Sequence, residues 1–195
     1  MVATQQKDMK YIIGFSSVSH MGIVLLGIAT MTPTGFNGAI FQMFSHGIMT
    51  ALFFACVGWI YDGAHTRMLD ELGGLSKQVP IISAFFIMAG LCGLGLPGMG
   101  SFVAELLVTI AAINVYPFIG IASILALLIT AYYVLSAVQK VFYGKAVKHH
   151  EHLHDIGAFQ FIPRAVLLGT LIFFGIFPQI FIHWIELSTR TLLGG

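Results

Sequence analysis

Charge is what this sequence has least of. Only 9% of its 195 residues are charged and 57% are hydrophobic, whereas about 25% of a soluble domain is charged. The mean hydropathy is +0.91. This composition excludes an ordinary soluble domain and is typical of a polytopic membrane protein. The net charge of +1 leaves no basic stripe to neutralise phosphates, so we expect no nucleic-acid partner.

Cysteine is also scarce. Cys56 and Cys92 each lie within an apolar run and form no CxxC spacing, so no disulfide framework, zinc site or iron–sulfur cluster is predicted. The glycines interrupt apolar runs and do not follow a strand, which excludes a nucleotide-binding glycine loop. We therefore expect no redox centre and no bound cofactor on this chain.

Long apolar runs are what the sequence does contain. A membrane-spanning helix needs about 20 largely apolar residues, and the chain has five such runs. They extend over about Tyr11–Met31, Phe36–Tyr61, Ile81–Ile113, Pro117–Tyr143 and Pro163–Leu187. The first two contain no Asp, Glu, Lys or Arg and are separated by a short turn, which predicts a helical hairpin. The sequence thus predicts an all-α protein with about five transmembrane helices.

The third run is too long for one straight span and contains a cluster of helix breakers. Pro97 removes a backbone donor, and Gly95, Gly98 and Gly100 favour non-helical backbone. A break at membrane depth survives only when it is buried in protein or lines a wet cavity. Broken helices of this kind recur at the ion sites of transporters. The sequence therefore predicts a broken third helix with a site beside it.

Glu105 follows the break by one to two helical turns. It is the only charged residue between Lys77 and Lys140, and ionisable groups inside a bilayer are costly and usually mark ion or proton pathways. A carboxyl whose ionisation changes with its surroundings can load and release a proton. The alternative is a permanently protonated, hydrogen-bonded glutamate with a structural role only.

Two histidines fall near the middle of the first two helices. Ser16 and Ser17 share a helical face with His20, and Gln42 and Thr50 flank His46 at i−4 and i+4. Histidine titrates near neutral pH, which suits a proton relay, and two at matched depth favour that hypothesis. The alternative is that both are packing residues hydrogen-bonded to serines across the helix interfaces.

Three further features have weaker implications. Lys140 is predicted to anchor the end of the fourth helix at the membrane surface, or else to belong to a polar exit for protons. His183 is predicted to lie in the interfacial aromatic belt. Four histidines of the segment 149–155 are close enough together to bind a divalent metal, although a solvated loop is the favoured interpretation.

The basic residues predict the orientation. Eight of the nine Lys and Arg residues fall on one side of the five-helix arrangement, and only Arg190 falls on the other. The positive-inside rule then places the N-terminus in the cytoplasm and the C-terminus outside. We divide the chain into a polar segment (1–10), four spans (11–143), a His-rich cytoplasmic loop (144–162) and a last helix with its tail (163–195).

Five motifs occur in an order typical of one family. They are Phe15-Ser-Ser-Val-Ser-His-Met-Gly22, Gln42-Met-Phe-Ser-His-Gly47, Tyr61-Asp-Gly-Ala-His-Thr-Arg67, Gly73-Gly-Leu75 and Leu96-Pro-Gly-Met-Gly-Ser-Phe-Val-Ala-Glu105. With them the chain resembles the antiporter-like membrane subunits of respiratory complex I, of the M type or the cyanobacterial and chloroplast D type. The match is densest from Asp8 to Glu105 and weakens after about Tyr143.

The resemblance implies both fold and function. The five helices would be the last five of a fourteen-helix inverted-repeat fold, and the chain would form part of a proton-translocating subunit of an NADH:quinone-type oxidoreductase. His20 and His46 would be the central histidines of its hydrophilic axis, and Glu105 its broken-helix glutamate. NADH, FMN, iron–sulfur clusters and quinone would be bound by partner subunits, namely other membrane subunits and a peripheral redox arm. The location would be an energy-transducing membrane, either a bacterial inner membrane or a thylakoid.

The chain departs from that family in length. Its members are more than twice as long, and their first repeat, with its glutamate–lysine pair and central lysine, has no counterpart here. We therefore expect a fragment, a split-gene product or a miscalled start. Two other functions stay open: a subunit of a multi-subunit cation/proton antiporter or membrane-bound hydrogenase, and a truncated remnant without activity.

Overall fold

Helices make up the folded chain. A computed structural model describes residues 2–145 and 153–193, and all the long elements within them are α-helices. In chain order they are α1 (Met9–Ala29), α2 (Pro33–Ala64), α3 (Pro80–Gly93), α4 (Gly100–Val115), α5 (Pro117–Tyr143), α6 (Ala158–Ile176) and α7 (Pro178–Leu192). Four of them, α1, α2, α5 and α6, are long and apolar enough to cross a membrane, which agrees with the predicted all-α membrane fold.

The first two helices form the predicted hairpin. The Asp8 carboxylate caps α1 by accepting a hydrogen bond from the Lys10 backbone N–H at 2.7 Å, and Thr32 caps α2 by accepting one from Gly35 at 3.1 Å. Only three residues separate the two helices. They pack closely beside the turn, since a Cβ on Gly27 would lie 2.7 Å from the carbonyl oxygen of Gly35.

The third span is broken, as predicted. The helix α3 ends at Gly93 and α4 begins at Gly100, and Gly95 and Gly98 between them adopt φ values of +68° and +93°. With 14 and 16 residues, each helix is only about 20–25 Å long at 1.5 Å per residue. Neither would cross a bilayer core of about 30 Å alone. The Sγ of Cys92 lies 3.2 Å from the Oγ of Ser101 and joins the two helices across the break.

The last span differs from the single helix predicted over Pro163–Leu187. It begins earlier, at Ala158, and is interrupted at Phe177 before α7 continues from Pro178. Proline lacks a backbone N–H and disfavours the helical conformation of the residue before it, and Phe177 accordingly has φ −117° and ψ 57°. Both helices pack along α2.

The polar segments gather at one end of the bundle. The backbone of Asp8 pairs with that of Met68, which joins the N-terminal segment to the loop between α2 and α3. The Asp155 carboxylate accepts hydrogen bonds from the backbone N–H groups of Ile81 at 2.5 Å and Ile82 at 3.2 Å, so the residues before α6 cap the start of α3. The hairpin turn and the end of α7 lie at the opposite end, where Thr189 donates to Asn37 at 2.8 Å.

The helix α2 lies at the centre of the bundle. It contacts α1, α3, α4, α6 and α7. The core consists of buried apolar side chains between α2 and its neighbours, including Leu52, Cys56, Ile60, Ile82 and Ala89. Large apolar residues of α5 point outward and are exposed, as expected for a face in contact with lipid or other helices.

Candidate functional site

Three polar side chains from three helices meet in the interior of the bundle. The Nδ1 atom of His20 on α1 lies 3.4 Å from Oε1 of Glu105 on α4. The Nε2 atom of Gln42 on α2 lies 3.3 Å from His20 Nδ1 and 3.4 Å from Glu105 Oε1. The exposed fractions are 2% for His20, 0% for Gln42 and 4% for Glu105. We call His20, Gln42 and Glu105 the central cluster.

Helical spacing places His20 on the buried face of α1, and a close contact between α2 and α4 brings Glu105 near it. His20 continues the buried face that Ser16 and Val24 mark at i−4 and i+4. The close approach of α2 and α4 depends on Gly38, because a Cβ there would lie 2.9 Å from the backbone nitrogen of Val108. Small residues at the contact therefore allow Glu105 to reach across to α1 and α2.

The break in the third span supplies the space beside Glu105. A Cβ added to Gly95 would lie 2.8 Å from Oε2 of Glu105, and its φ of +68° also favours glycine. One carboxylate oxygen therefore faces His20 and Gln42 and the other faces the Gly95 backbone. On the far side of the histidine, a Cβ at Gly93 would lie 3.8 Å from His20 Nε2, so the end of α3 also borders the cluster.

His46 extends the cluster along α2. Its ring centroid lies 5.2 Å from that of His20, and its Nε2 atom lies 3.3 Å from the Thr50 hydroxyl. Gln42, His46 and Thr50 follow one another at four-residue spacing on one helical face. At 1.5 Å per residue this polar stripe covers about 12 Å of α2.

The serines near His20 do not bind its ring. Ser16 donates to the carbonyl of Ile13 at 2.7 Å, and Ser17 donates to the same carbonyl at 3.2 Å. The alternative in which the histidines are tied to serines across helix interfaces therefore does not describe His20, whose polar neighbours are an amide and a carboxylate. Interhelical contacts to an ionisable group are the kind that a proton site requires.

The other predicted site residues lie apart from the central cluster. Lys140 is exposed in the last turn of α5, and within residues 2–145 and 153–193 no hydrogen bond or ion pair joins it to the cluster. Of the break residues, Gly100 lies against Ser45, since a Cβ there would be 2.7 Å from the serine Oγ. Pro97 and Gly98 shape the turn between α3 and α4.

The His-rich segment is only partly described. His149, His150 and His152 lie outside the described residues, so the metal hypothesis for 149–155 stays a prediction. Among the described residues no group of three or more His, Cys, Asp or Glu side chains could hold a metal ion. Asp155 caps α3 instead, and His183 is exposed on α7 next to Trp184.

Gln42 is the member of the central cluster that no sequence motif assigns to the site. Its position four residues before His46 indicated the right helical face, and an amide within an apolar helix is itself a signal of a buried polar contact. No local sequence pattern predicts the contact between Gln42 and Glu105, because the two residues are 63 positions apart. No local pattern predicts the approach of Gly95 to the Glu105 carboxylate either.

The central cluster combines an imidazole and a carboxyl, two groups that exchange protons when they are in contact. An imidazole and a carboxylate in contact share a proton as an imidazolium–carboxylate pair or as a neutral pair, and transfer between the two needs no other group. The distances of 3.3–3.4 Å exceed the usual range of about 2.7–3.2 Å, so a small approach completes the hydrogen bonds. Two imidazolium rings at the 5.2 Å centroid separation of His20 and His46 would repel each other.

Known proteins resemble this chain along its whole length. The sequence profile of the family described as NADH:quinone oxidoreductase/Mrp antiporter, transmembrane region, matches residues 1–130. NADH-quinone oxidoreductase subunit M of Rickettsia felis is 35% identical over 194 residues, which are 99% of this chain and 39% of the relative. NAD(P)H-quinone oxidoreductase chain 4 of Acaryochloris marina is 38% identical over 199 residues, covering 96% of this chain and 37% of the relative.

The fold has a counterpart among solved structures. A chain of respiratory complex I from Thermus thermophilus superposes with a TM-score of 0.91 and 27% identity, covering all of this chain and 42% of that one. The present chain thus spans about two fifths of the length of these relatives. It belongs to the NADH:quinone oxidoreductase/Mrp antiporter transmembrane family.

Proposed function

We propose that this member of the family forms the C-terminal part of a membrane subunit that translocates protons in an NADH:quinone-type oxidoreductase. The relatives named as NADH-quinone oxidoreductase subunit M and NAD(P)H-quinone oxidoreductase chain 4 support the assignment to such a complex. Electron transfer, with NADH, FMN, iron–sulfur clusters and quinone, would take place in partner subunits. This chain would contribute groups that move protons.

The observation that carries the proposal is the contact between Glu105 and His20. An ionisable carboxyl in a spanning segment is costly, yet here it lies 3.4 Å from an imidazole nitrogen, fully buried, beside a break in the helix. Packing alone does not account for these groups, because replacing a buried ion pair by apolar residues of similar volume is often neutral or stabilising. Their arrangement suits the uptake and release of a proton.

The proton would move between defined atoms. A proton on Nδ1 of the His20 imidazolium passes to Oε1 of Glu105, which converts an ion pair into a neutral pair. The Nε2 proton stays in place, and Nδ1 becomes the free nitrogen that accepts the next proton. His46 and Thr50 would continue the route along α2, with His46 exchanging protons with His20 across the 5.2 Å between their rings. Charge changes in neighbouring parts of the subunit would drive the cycle. Lys140, exposed at the end of α5, would serve as a polar exit.

Substitution of the carboxyl tests the proposal. In the full-length subunit within its native complex, Glu105→Gln removes the titrating group but keeps nearly the same shape. We expect the initial rate of proton transport into inverted membrane vesicles, per assembled complex, to fall at least about tenfold. The matched control is Glu186→Gln on the exposed surface of α7, which should transport at the wild-type rate. Equal rates in all three proteins would refute the proton-loading role of Glu105.

The orientation follows from the basic residues and has its own test. Lys7, Arg67 and Lys77 belong to segments that meet at one end of the bundle, whereas Arg190 belongs to the other end. We place the first end in the cytoplasm or its equivalent, in a bacterial inner membrane or a thylakoid. Single cysteines at positions 145 and 155 should react with a membrane-impermeant maleimide only from the inside, and one at position 190 only from the outside. The opposite pattern would overturn this topology.

A second function has specific support. The family description includes the Mrp antiporter, so the chain could belong to a multi-subunit cation/proton antiporter with the same helices. Purification from native membranes separates the two functions. Flavin- and iron–sulfur-containing partners indicate the oxidoreductase, whereas sodium-dependent proton exchange by a complex without them indicates the antiporter.

A further inference from the structure

The amide of Gln42 is the least expected part of the central cluster. It is fully buried at 0% exposure, and burying an amide is unfavourable unless its donors and acceptor are hydrogen-bonded. Its Nε2 atom lies 3.3 Å from His20 Nδ1 and 3.4 Å from Glu105 Oε1, so the amide nitrogen faces both groups. These two partners are the atoms between which the proposed proton transfer takes place.

The oxygen of the same amide is unused. Gln42 Oε1 is buried and has no hydrogen-bond partner among the residues that the structure describes. The side chain therefore presents both of its donors to the cluster and leaves its only acceptor free. That arrangement suits one protonation state, in which His20 Nδ1 is an unprotonated acceptor and Glu105 is a carboxylate.

A second arrangement is available when the cluster takes up a proton. A protonated Nδ1 of His20 becomes a donor and can no longer accept from Gln42, whereas a protonated Glu105 gains an O–H donor and keeps acceptor capacity. Rotation of the amide about its terminal bond, a torsion with roughly two-fold character, would bring the free Oε1 to that donor. By exchanging its two ends the amide can thus offer the cluster a donor before protonation and an acceptor after it.

We propose that Gln42 is a positioning residue of the proton site, whose amide holds Glu105 Oε1 and His20 Nδ1 at transfer distance and turns over when the pair takes up a proton. The inference rests on the proposed function of Glu105 and His20. A Gln42 that only filled space would behave differently, because an apolar side chain of similar volume could replace it at small cost without changing the Glu105 carboxyl.

The experiment compares Gln42→Met with the wild type in the native complex, in membranes. Methionine keeps the length of the side chain and removes the amide. Infrared difference spectra recorded between low and high pH report the C=O stretching band of the Glu105 carboxyl, which is identified by its loss in Glu105→Gln. We expect this band to move to higher wavenumber in Gln42→Met, because the carboxyl has lost a hydrogen-bond partner. We also expect proton transport per assembled complex to fall about tenfold, a loss typical of a hydrogen bond to a charged group.

Ser45→Ala is the matched control. Ser45 lies on α2 three residues after Gln42, is equally buried at 1% exposure, and its hydroxyl likewise has no partner among the described residues. We expect its substitution to leave both the Glu105 band and proton transport unchanged. If Gln42→Met reduces assembly, Gln42→Asn replaces it. The shorter amide cannot reach both partners, so the same shift of the Glu105 band is expected.

The outcomes separate this inference from the proposed function. If Glu105→Gln stops transport but neither Gln42 variant changes the Glu105 band, Gln42 only packs and the inference is wrong. A shift of equal size in Ser45→Ala would also overturn it, since the effect would then not depend on the contact with Glu105. If Glu105→Gln itself transports normally, the proposed function fails, and the inference fails with it.

Discussion

Histidine and glutamate lie near each other both in the central cluster and on α7, and the two regions differ in burial and in the elements that supply the side chains. In the central cluster, His20 and Glu105 come from separate helices, are almost fully buried and lie 3.4 Å apart. On α7, His183 and Glu186 are three residues apart on one helix, and Glu186 pairs with Arg190 in an ion pair whose side chains are 38% and 65% exposed. Water solvates and screens the second group. Packing of three helices, rather than residue composition, thus brings an imidazole and a carboxylate into buried contact.

The largest expected effect concerns the break beside the carboxyl. Gly95→Ala would place a Cβ 2.8 Å from Glu105 Oε2 and displace the carboxyl from His20, so we expect proton transport per assembled complex to fall about tenfold or more. Gly98→Ala is the matched control, since it shares the positive φ but has no atom within 4 Å of its Cβ. Both should lower thermal stability through backbone strain of about 1–2 kcal/mol. Equal transport by the two variants would show that Gly95 does not position Glu105.

The next effect compares two histidines. His46→Ala removes a ring that lies 5.2 Å from His20 and contacts Thr50. Loss of a hydrogen bond of about 1 kcal/mol would slow coupled proton transport about fivefold. His183→Ala, on the exposed face of α7, should transport like the wild type. The measurement is the initial rate of vesicle acidification, and equal, negligible effects would remove His46 from the route.

A smaller effect, on stability, compares a carboxylate that caps a helix with one in an exposed ion pair. Asp155 accepts hydrogen bonds from Ile81, Ile82 and its neighbour Ile156, so Asp155→Ala should destabilise the protein by about 1 kcal/mol, as the loss of a cap does. Asp70→Ala breaks only an exposed ion pair with Lys7 at 3.3 Å. Thermal unfolding of the purified complex in detergent should therefore show a larger decrease for Asp155→Ala. The opposite order would mean that the loop does not hold α3.

The smallest expected effect lies on α7. Glu186→Gln breaks the ion pair with Arg190 at 2.6 Å, and an exposed pair at i,i+4 spacing contributes about 0.3–0.5 kcal/mol. We expect a decrease in unfolding temperature close to the error of the measurement, and one that vanishes in high salt. A large, salt-independent loss would show that this pair is buried in the assembled complex, and the contrast between the two regions would weaken.

Much of the fold was predictable because the relevant forces are local. Apolar runs about 20 residues long predicted spanning helices, and the fourth agreed with the structure at both ends, Pro117 and Tyr143. The glycine–proline cluster predicted the break between Gly93 and Gly100. The interruption at Phe177 was missed, although Pro178 marked it, because the run around it is apolar enough to suggest one continuous helix.

The sequence predicted which residues belong to the site better than it predicted the contacts between them. Glu105 and His20 were found because ionisable residues in apolar segments are costly and conspicuous. Lys140 was predicted from its place near the end of the fourth helix, either as a surface anchor or as a polar exit. It lies apart from the central cluster, and its role in proton conduction stays a prediction. Gln42 was predicted only as a neighbour of His46, because burying an uncharged amide costs less free energy than burying a charge and so marks a site less clearly.

The sequence by itself determined the membrane class, the hairpin, the broken helix and the scarcity of charge that makes Glu105 stand out. These follow from hydropathy and backbone preferences, which act over a few residues. The tertiary structure alone decided that the Glu105 carboxylate lies between His20, Gln42 and Gly95, because that arrangement depends on how α1, α2, α4 and the break pack together. Contacts between residues 63 and 85 positions apart are set by the shape of the whole bundle, and no local pattern encodes them.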